Sequence, residues 1–131
     1  IVSQINAEGL DSQVHLKGRI PHRDVSRFFA VADVFFMPSD EEGFPHVLLE
    51  AMASGVPYVA TEVGGVREIS PQSQQPYIVA DRSPESLEST LRSLLTDPPA
   101  KETLQEHVVG YDTSTVVPQY VEVYERVADE F

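Results

Sequence analysis

The sequence predicts an α/β domain built on a mainly parallel sheet. Short apolar runs that are typical of buried strands alternate with segments of helical periodicity, and glycine or proline separates many of them. Helices between parallel strands form right-handed crossovers and cover the sheet. The length of 131 residues suits one domain and leaves no room for two full cores.

The N-terminal part of the chain predicts a helix, a strand and a second helix. Apolar residues spaced among polar ones predict a short helix over residues 1–10, and Gly9 is placed to end it. Residues 14–18 alternate apolar and polar side chains, a period of two that predicts a strand with one buried face. Residues 22–31 return to helical spacing, with apolar residues on one side and charged residues on the other.

The next segment predicts two buried strands around a helix. The apolar run 34–37, stopped by Pro38, is typical of a strand buried on both faces. A loop then leads to a helix over residues 45–54, which Gly55 ends, and to a strand over residues 57–61.

The remaining residues predict helices around one more strand. A tight turn at Gly64 and Gly65 precedes a short helix, and a polar loop over residues 70–76 leads to a brief strand at 77–79. Helical spacing then predicts helices over 66–70, 83–95, 100–107 and 114–129.

Composition argues against several classes of protein. The 21 acidic side chains outnumber the 9 basic ones, which gives a formal charge of -12 and predicts no binding to nucleic acid. The chain has no cysteine, so disulfides, thiolate metal sites and cysteine nucleophiles are excluded. No apolar run approaches the roughly 20 residues that span a bilayer, and no signal peptide is recognisable. Because the chain opens at Ile1, within what looks like the end of an amphipathic element, we expect it to be a piece of a longer protein.

Two glutamates are the strongest candidates for a ligand site. Ligands of parallel sheets bind at the carboxyl ends of the strands, and Glu42 follows the strand that Pro38 ends. Glu50 lies eight positions later in an otherwise apolar helix that starts at Pro45, and the free N–H groups at that helix start favour an anion. This combination suits a ligand with hydroxyls at both ends and phosphates between them. The residues alone leave open a structural alternative, in which Glu42 caps the helix and Glu50 lies on a solvated polar stripe.

Several motifs in order resemble the signature of retaining glycosyltransferases of family 4, which have the GT-B fold. The shared pattern is Pro-Ser, then Glu-Gly-Phe, a second Glu after seven intervening residues, Ala-Met-Ala and Gly-x-Pro. A later Gly-Gly-x-x-Glu element also fits, and the resemblance covers the chain from about residue 10 to its end. In this sequence the motifs are Pro38-Ser39, Glu42-Gly43-Phe44, Glu50, Ala51-Met52-Ala53, Gly55-Val56-Pro57 and Gly64-Gly65-Val66-Arg67-Glu68.

The resemblance implies a role for each site residue. The fold would be the Rossmann-like C-terminal domain of a GT-B enzyme, with helices on both faces of its sheet. Glu42 would be the catalytic residue that faces the donor sugar, and Glu68 would orient the glycine turn. By this resemblance, the Gly43 and Phe44 amides would contact the donor sugar, and the Val47 and Leu48 amides, beside His46, would contact the diphosphate. Glu50 would bind the ribose, and Arg19 and Ile20 would contact the base.

The resemblance also implies what this chain lacks. Family members carry an arginine and a lysine for the donor diphosphate near the start of this domain, and an acceptor domain before it. Ile1 would follow the first two strands of the domain. We therefore expect the fragment to be inactive alone and to self-associate through an exposed sheet edge. The intact enzyme would be cytoplasmic, at the inner face of the membrane in some cases, and would act on a sugar, lipid or small-molecule acceptor.

We expect no metal and no cofactor. The four histidines are scattered rather than set at metal-ligand spacing, and Asp40-Glu41-Glu42 lacks the Asp-x-Asp spacing of metal-dependent sugar transferases. Two other function classes stay open at this point. One is a nucleotide-sugar epimerase of the same architecture, and the other is a non-catalytic α/β module such as a receiver-like signalling domain.

Overall fold

A parallel sheet organises the computed structural model, which describes residues 1–128. Within these residues the sheet has three strands in the order β1-β2-β3. Met37 lies opposite Ala60, and Ala60 lies opposite Ile78. The strands are β1 Phe35–Met37, β2 Tyr58–Thr61 and β3 Ile78–Val79.

Helices connect and follow these strands in the predicted order. Each predicted helix forms, with ends that differ by a few residues from the sequence-based boundaries, and the α/β architecture is confirmed. Only Asp129, the last residue of the final predicted helix, lies outside the described residues. The helices are α1 Val2–Ala7, α2 His22–Phe29, α3 His46–Ala53, α4 Val66–Ile69, α5 Pro84–Thr96, α6 Lys101–Val108 and α7 Thr113–Ala128.

The predicted strand at residues 14–18 is wrong. These residues adopt neither helix nor strand, and Val14 and Leu16 are exposed. The alternating pattern was real, but a strand forms only where a neighbouring strand satisfies its backbone N–H and C=O groups. Among the residues that the structure describes, no strand lies beside this segment.

The core lies on both faces of the sheet because side chains of β2 alternate between them. Tyr58 and Ala60 pack in one apolar cluster with Leu48 of α3 and Leu104 of α6. Val59 packs on the opposite face in a second cluster, with Leu94 of α5. Helices therefore cover both faces, as in a Rossmann-like sheet.

The polar loop between α4 and β3 is more buried than its composition suggests. Gln74 is fully buried, and its side-chain amide donates a hydrogen bond to the carbonyl of Tyr58. Ser70 is also buried and bonds the Tyr58 hydroxyl at 2.5 Å. Polar contacts of Ser70 and Gln74 thus anchor the loop to the central strand.

Two surfaces of the domain are open. The outer side of β1 has no partner strand within residues 1–128, and self-association through that edge stays a prediction. Helix α7 has no buried residue between Thr113 and Ala128, and its apolar side chains, such as Tyr120 and Tyr124, are exposed. None of the helices in the described part of the chain is both long and apolar enough to cross a membrane.

We expect the buried phenol of Tyr58 to make the fold sensitive to alkali. Burial raises the pKa of Tyr58 from 10.0 to about 12, because the charged phenolate is poorly solvated in the core. The raised pKa favours the neutral form, so its contribution is complete below pH 10 and is lost between pH 10 and pH 12. The predicted loss is about 2–3 kcal/mol of the free energy of unfolding.

Denaturant unfolding of Tyr58→Phe at pH 9 and pH 12 measures this effect. The wild type should be the more stable protein at pH 9, where it keeps its hydrogen bond to Ser70, and the less stable one at pH 12. Tyr120→Phe, at an exposed tyrosine, should follow the wild type at both pH values. A stability difference between wild type and Tyr58→Phe that does not change with pH would contradict the prediction.

Candidate functional site

The loops that follow β1 and β2 meet at the carboxyl edge of the sheet. The Thr61 hydroxyl, at the end of β2, donates to the carbonyl of Ser39 at 2.5 Å. The Gly65 amide donates to the carbonyl of Gly43 at 2.9 Å. These two contacts hold the loop that carries Glu42, because one joins it to the end of the buried strand β2 and the other to the turn at the start of α4.

Gly64 permits this close packing of the two loops. Its backbone has a φ of 50°, and a Cβ atom would lie 2.1 Å from the carbonyl oxygen of Glu42 and 2.5 Å from that of Gly43. Any side chain would therefore overlap with backbone atoms that cannot rotate away. The glycine pair in the sequence thus has a steric role that involves the Glu42 loop directly.

Glu42 is half-buried at this edge and accepts a hydrogen bond from the Ser39 hydroxyl at 2.7 Å, through Oε1. It does not cap the following helix, since Pro45 is the N-cap of α3 and no side chain bonds that helix end. The capping alternative is therefore wrong. A carboxylate accepts up to about four hydrogen bonds, so the contact to Ser39 leaves capacity for a ligand.

The start of α3 presents backbone donors beside Glu42. The amides of His46 and Val47 make no hydrogen bond within residues 1–128, whereas the Leu48 amide donates to the Pro45 carbonyl at 3.0 Å. Of the two amides that the resemblance assigns to a diphosphate, that of Val47 is thus available and that of Leu48 is occupied. The free N–H groups and the positive end of the helix dipole favour an anion here.

Glu50 lies one helical turn beyond the start of α3 and is paired. The Nε2 atom of His22 lies 2.8 Å from Glu50 Oε1, and one third of the Glu50 side chain is exposed. This contact joins the first residue of α2 to α3. Because the loop of Arg19 and Ile20 leads into α2, the contact also places this loop on the Glu50 side of the site. Arg19 is exposed there, and Ile20 is half-buried.

An aromatic cluster borders the other side of the α3 start. Phe44 lies 5.5 Å from the His46 ring and 6.2 Å from the Tyr111 ring, measured between ring centroids. A groove of about 720 Å³ opens beside these rings, between α3 and α7. Sequence reasoning missed Tyr111, because no local pattern shows that the chain returns to this point.

The cations near the two loops are engaged in ion pairs. Arg67 binds Glu62 through two nitrogens, at 2.7 Å and 2.5 Å, and this contact lowers the pKa of Glu62. Arg82, which sequence reasoning also missed, reaches from the end of β3 to Asp40 at 3.3 Å. Both pairs are exposed, so each contributes little to stability.

Glu68, the last residue of the glycine-rich motif, lies beside the turn on α4. Its carboxylate is 3.8 Å from the position of a Cβ at Gly65, and the Tyr111 hydroxyl donates to the Glu68 carbonyl at 3.4 Å. The orienting role expected of Glu68 stays a prediction. Across residues 1–128, no group of three or more histidine, aspartate or glutamate side chains is placed to hold a metal ion.

Comparison with known proteins identifies a family over most of the chain. Residues 1–108 match the family described as glycosyl transferases group 1. A D-inositol 3-phosphate glycosyltransferase of Corynebacterium urealyticum is 34% identical over 113 residues, which are 83% of this chain and 26% of that protein. Sulfoquinovosyl transferase SQD2 of Arabidopsis thaliana is 36% identical over 102 residues, which are 72% of this chain and 20% of that protein.

A solved structure supports the fold. The sucrose-phosphate synthase of Thermosynechococcus elongatus superposes with a TM-score of 0.81 at 22% sequence identity, over 99% of this chain and 34% of that one. This chain thus has the fold of a segment of that structure. It spans about a quarter of the length of the curated relatives it matches.

We expect Gly64→Ala to disrupt the Glu42 loop. The new methyl group overlaps with the Glu42 and Gly43 carbonyls, and the positive φ adds backbone strain, so the free energy of unfolding should fall by at least about 2 kcal/mol. Thermal unfolding measures the loss, and amide chemical shifts of residues 42–44 report the displacement. Gly110→Ala is the control, because a Cβ there meets nothing within 4 Å. Equal melting temperatures for the two variants would contradict the steric role of Gly64.

Proposed function

The chain belongs to the glycosyl transferases group 1 family, and from that premise we propose that it is the donor-binding part of a retaining glycosyltransferase. The donor would be a nucleoside-diphosphate sugar. The observation that carries this proposal is the order of groups along one edge of the sheet. A carboxylate at Glu42, free amides at the start of α3 and a second carboxylate at Glu50 follow one another, as a sugar, a diphosphate and a ribose do in the donor.

The sugar end of the proposed site centres on Glu42. Ser39 occupies one position on its carboxylate, and the remaining lone pairs can accept hydrogen bonds from sugar hydroxyls. The carboxylate also places negative charge near the anomeric carbon, which becomes electron-poor as the diphosphate leaves. Stabilisation of charge that develops only in the transition state accelerates the reaction.

The diphosphate would lie at the start of α3. The amides of His46 and Val47 can donate to phosphate oxygens, and the helix dipole stabilises the negative charge that grows on the leaving group. These neutral donors suit a chain whose formal charge is -12, since they attract an anion locally despite the acidic surface. In the intact enzyme, an arginine and a lysine from the preceding segment would complete the diphosphate site without a metal ion.

The nucleoside would lie between α2 and α3. Glu50 can accept two hydrogen bonds from the vicinal hydroxyls of a ribose, because a carboxylate offers two oxygens in one plane. Arg19 and Ile20 lie in the loop that leads into α2 and would contact the base. A groove of about 320 Å³ beside Glu50, lined in part by Phe29 and Ser54, gives room at this end of the site.

The acceptor would bind to a separate domain of the intact protein. The relatives include an inositol phosphate glycosyltransferase and a sulfoquinovosyl transferase, so their names indicate different acceptors and donors for related domains. We therefore propose a sugar, lipid or small-molecule acceptor without naming one. The comparisons give no support to an epimerase or to a receiver-like module.

Titration with nucleotide sugars tests the proposed donor site. We expect UDP-, GDP- or ADP-glucose to shift amide resonances of residues 42–50 in NMR spectra recorded at low salt without metal. Glu50→Ala should weaken binding about tenfold, because hydrogen bonds to a carboxylate contribute about 1.5–3 kcal/mol. Glu102→Ala, at an exposed glutamate on α6, should bind as the wild type does. The absence of any shift at millimolar nucleotide sugar would contradict the proposal.

Glu42 should act on the sugar and not on the nucleotide. In Glu42→Ala we expect the nucleoside diphosphate alone to bind as in the wild type, while the additional affinity that the sugar gives is lost. Calorimetry with the nucleotide sugar and with the free nucleoside diphosphate measures this difference. Glu41→Ala, at the exposed neighbouring carboxylate, is the matched control. Equal losses for both ligands in Glu42→Ala would place Glu42 away from the sugar.

A further inference from the structure

The contact between His22 and Glu50 joins two parts of the chain that are 28 residues apart in sequence. His22 is the first residue of α2, and Glu50 lies on α3, so the pair closes one side of the groove between these helices. Because a carboxylate oxygen only accepts hydrogen bonds, Nε2 of the imidazole is the donor. No sequence motif marks His22, and only the fold brings it to the proposed nucleoside end of the site.

We infer that His22 is a positioning residue for Glu50, an inference that rests on the proposed function. A glutamate side chain has several rotatable bonds, and a partly exposed one samples many conformations in solution. The hydrogen bond at 2.8 Å fixes Oε1 on the α2 side and leaves Oε2 and one lone pair of Oε1 for a ligand. The carboxylate is then already oriented for the vicinal hydroxyls of a ribose, and binding need not order it.

The contact has a local effect because both partners reach solvent. The His22 side chain is 86% exposed and that of Glu50 is 33% exposed, and exposed pairs contribute little to folding stability. Removing the imidazole should therefore leave the fold intact and change only the orientation of Glu50. Arg23, the neighbouring cation on this groove, lies near Asp24 of its own helix and makes no contact with Glu50 among the described residues.

Discrimination between ribose and 2′-deoxyribose tests the inference. Calorimetry compares the affinity for whichever of UDP, GDP and ADP binds most tightly with that for its 2′-deoxy counterpart, in the wild type and in four variants. We expect the wild type to favour the ribonucleotide. His22→Ala should bind the ribonucleotide about fivefold more weakly and lose most of that preference. His22→Gln, which keeps an N–H donor of similar reach, should retain the preference, and His15→Ala, at an exposed histidine elsewhere, should match the wild type.

The outcomes separate this inference from the proposed function. If His22→Ala keeps the full ribose preference, or if His22→Gln loses it to the same extent as His22→Ala, His22 does not position Glu50 by its hydrogen bond. Glu50→Ala tests the proposed function itself, because removal of the carboxylate should abolish the preference for ribose even though His22 is still present. A wild type that binds no ribonucleotide, or a Glu50→Ala variant that keeps the preference, overturns the proposed function and this inference with it.

Discussion

The parallel pairing of β1 with β2 determines where the Glu42 loop and the start of α3 lie. Parallel strands end at the same edge of a sheet, so the loops after Met37 and Thr61 are forced to meet there. The crossover helix α3 must start from the first of these loops, which sets its amides beside Glu42. Without this pairing the two glutamates, the glycine turn and the helix start would be unrelated points along the chain.

Much of the fold follows from local sequence, and the exceptions follow from tertiary contacts. Residue type alone marks Gly55, which ends α3 as predicted with a φ of 71°. The run at 34–37 also forms the predicted strand, but the expectation that it is buried on both faces is wrong, because Phe36 is 40% exposed on this outer strand. The segment 14–18 shows the limit of such patterns, because alternation cannot supply a neighbouring strand. Gln74 shows that a polar residue of a loop can be buried where a tertiary contact satisfies it. Its side-chain amide donates to the Tyr58 carbonyl on β2, 16 residues earlier in the chain.

The candidate site divides in the same way. Glu42 and Glu50 could be selected from sequence, because they stand in a recognisable order around apolar segments. Their partners Ser39 and His22 could not be assigned, since a side-chain hydrogen bond depends on rotamers and on how helices approach one another. A family resemblance implies which groups would face a ligand, whereas only the folded structure shows which groups hold them in place.

The three-point attachment of the Glu42 loop bears on the entropy of ligand binding. Thr61 holds the Ser39 carbonyl, Gly65 holds that of Gly43, and Gly64 packs beneath the backbone of Glu42. A loop fixed in this way loses little conformational freedom when a ligand arrives, so the binding free energy is not reduced by ordering it. Movements that admit or release a ligand would then have to come from the segments that surround the loop, while the Glu42 loop itself would stay in place.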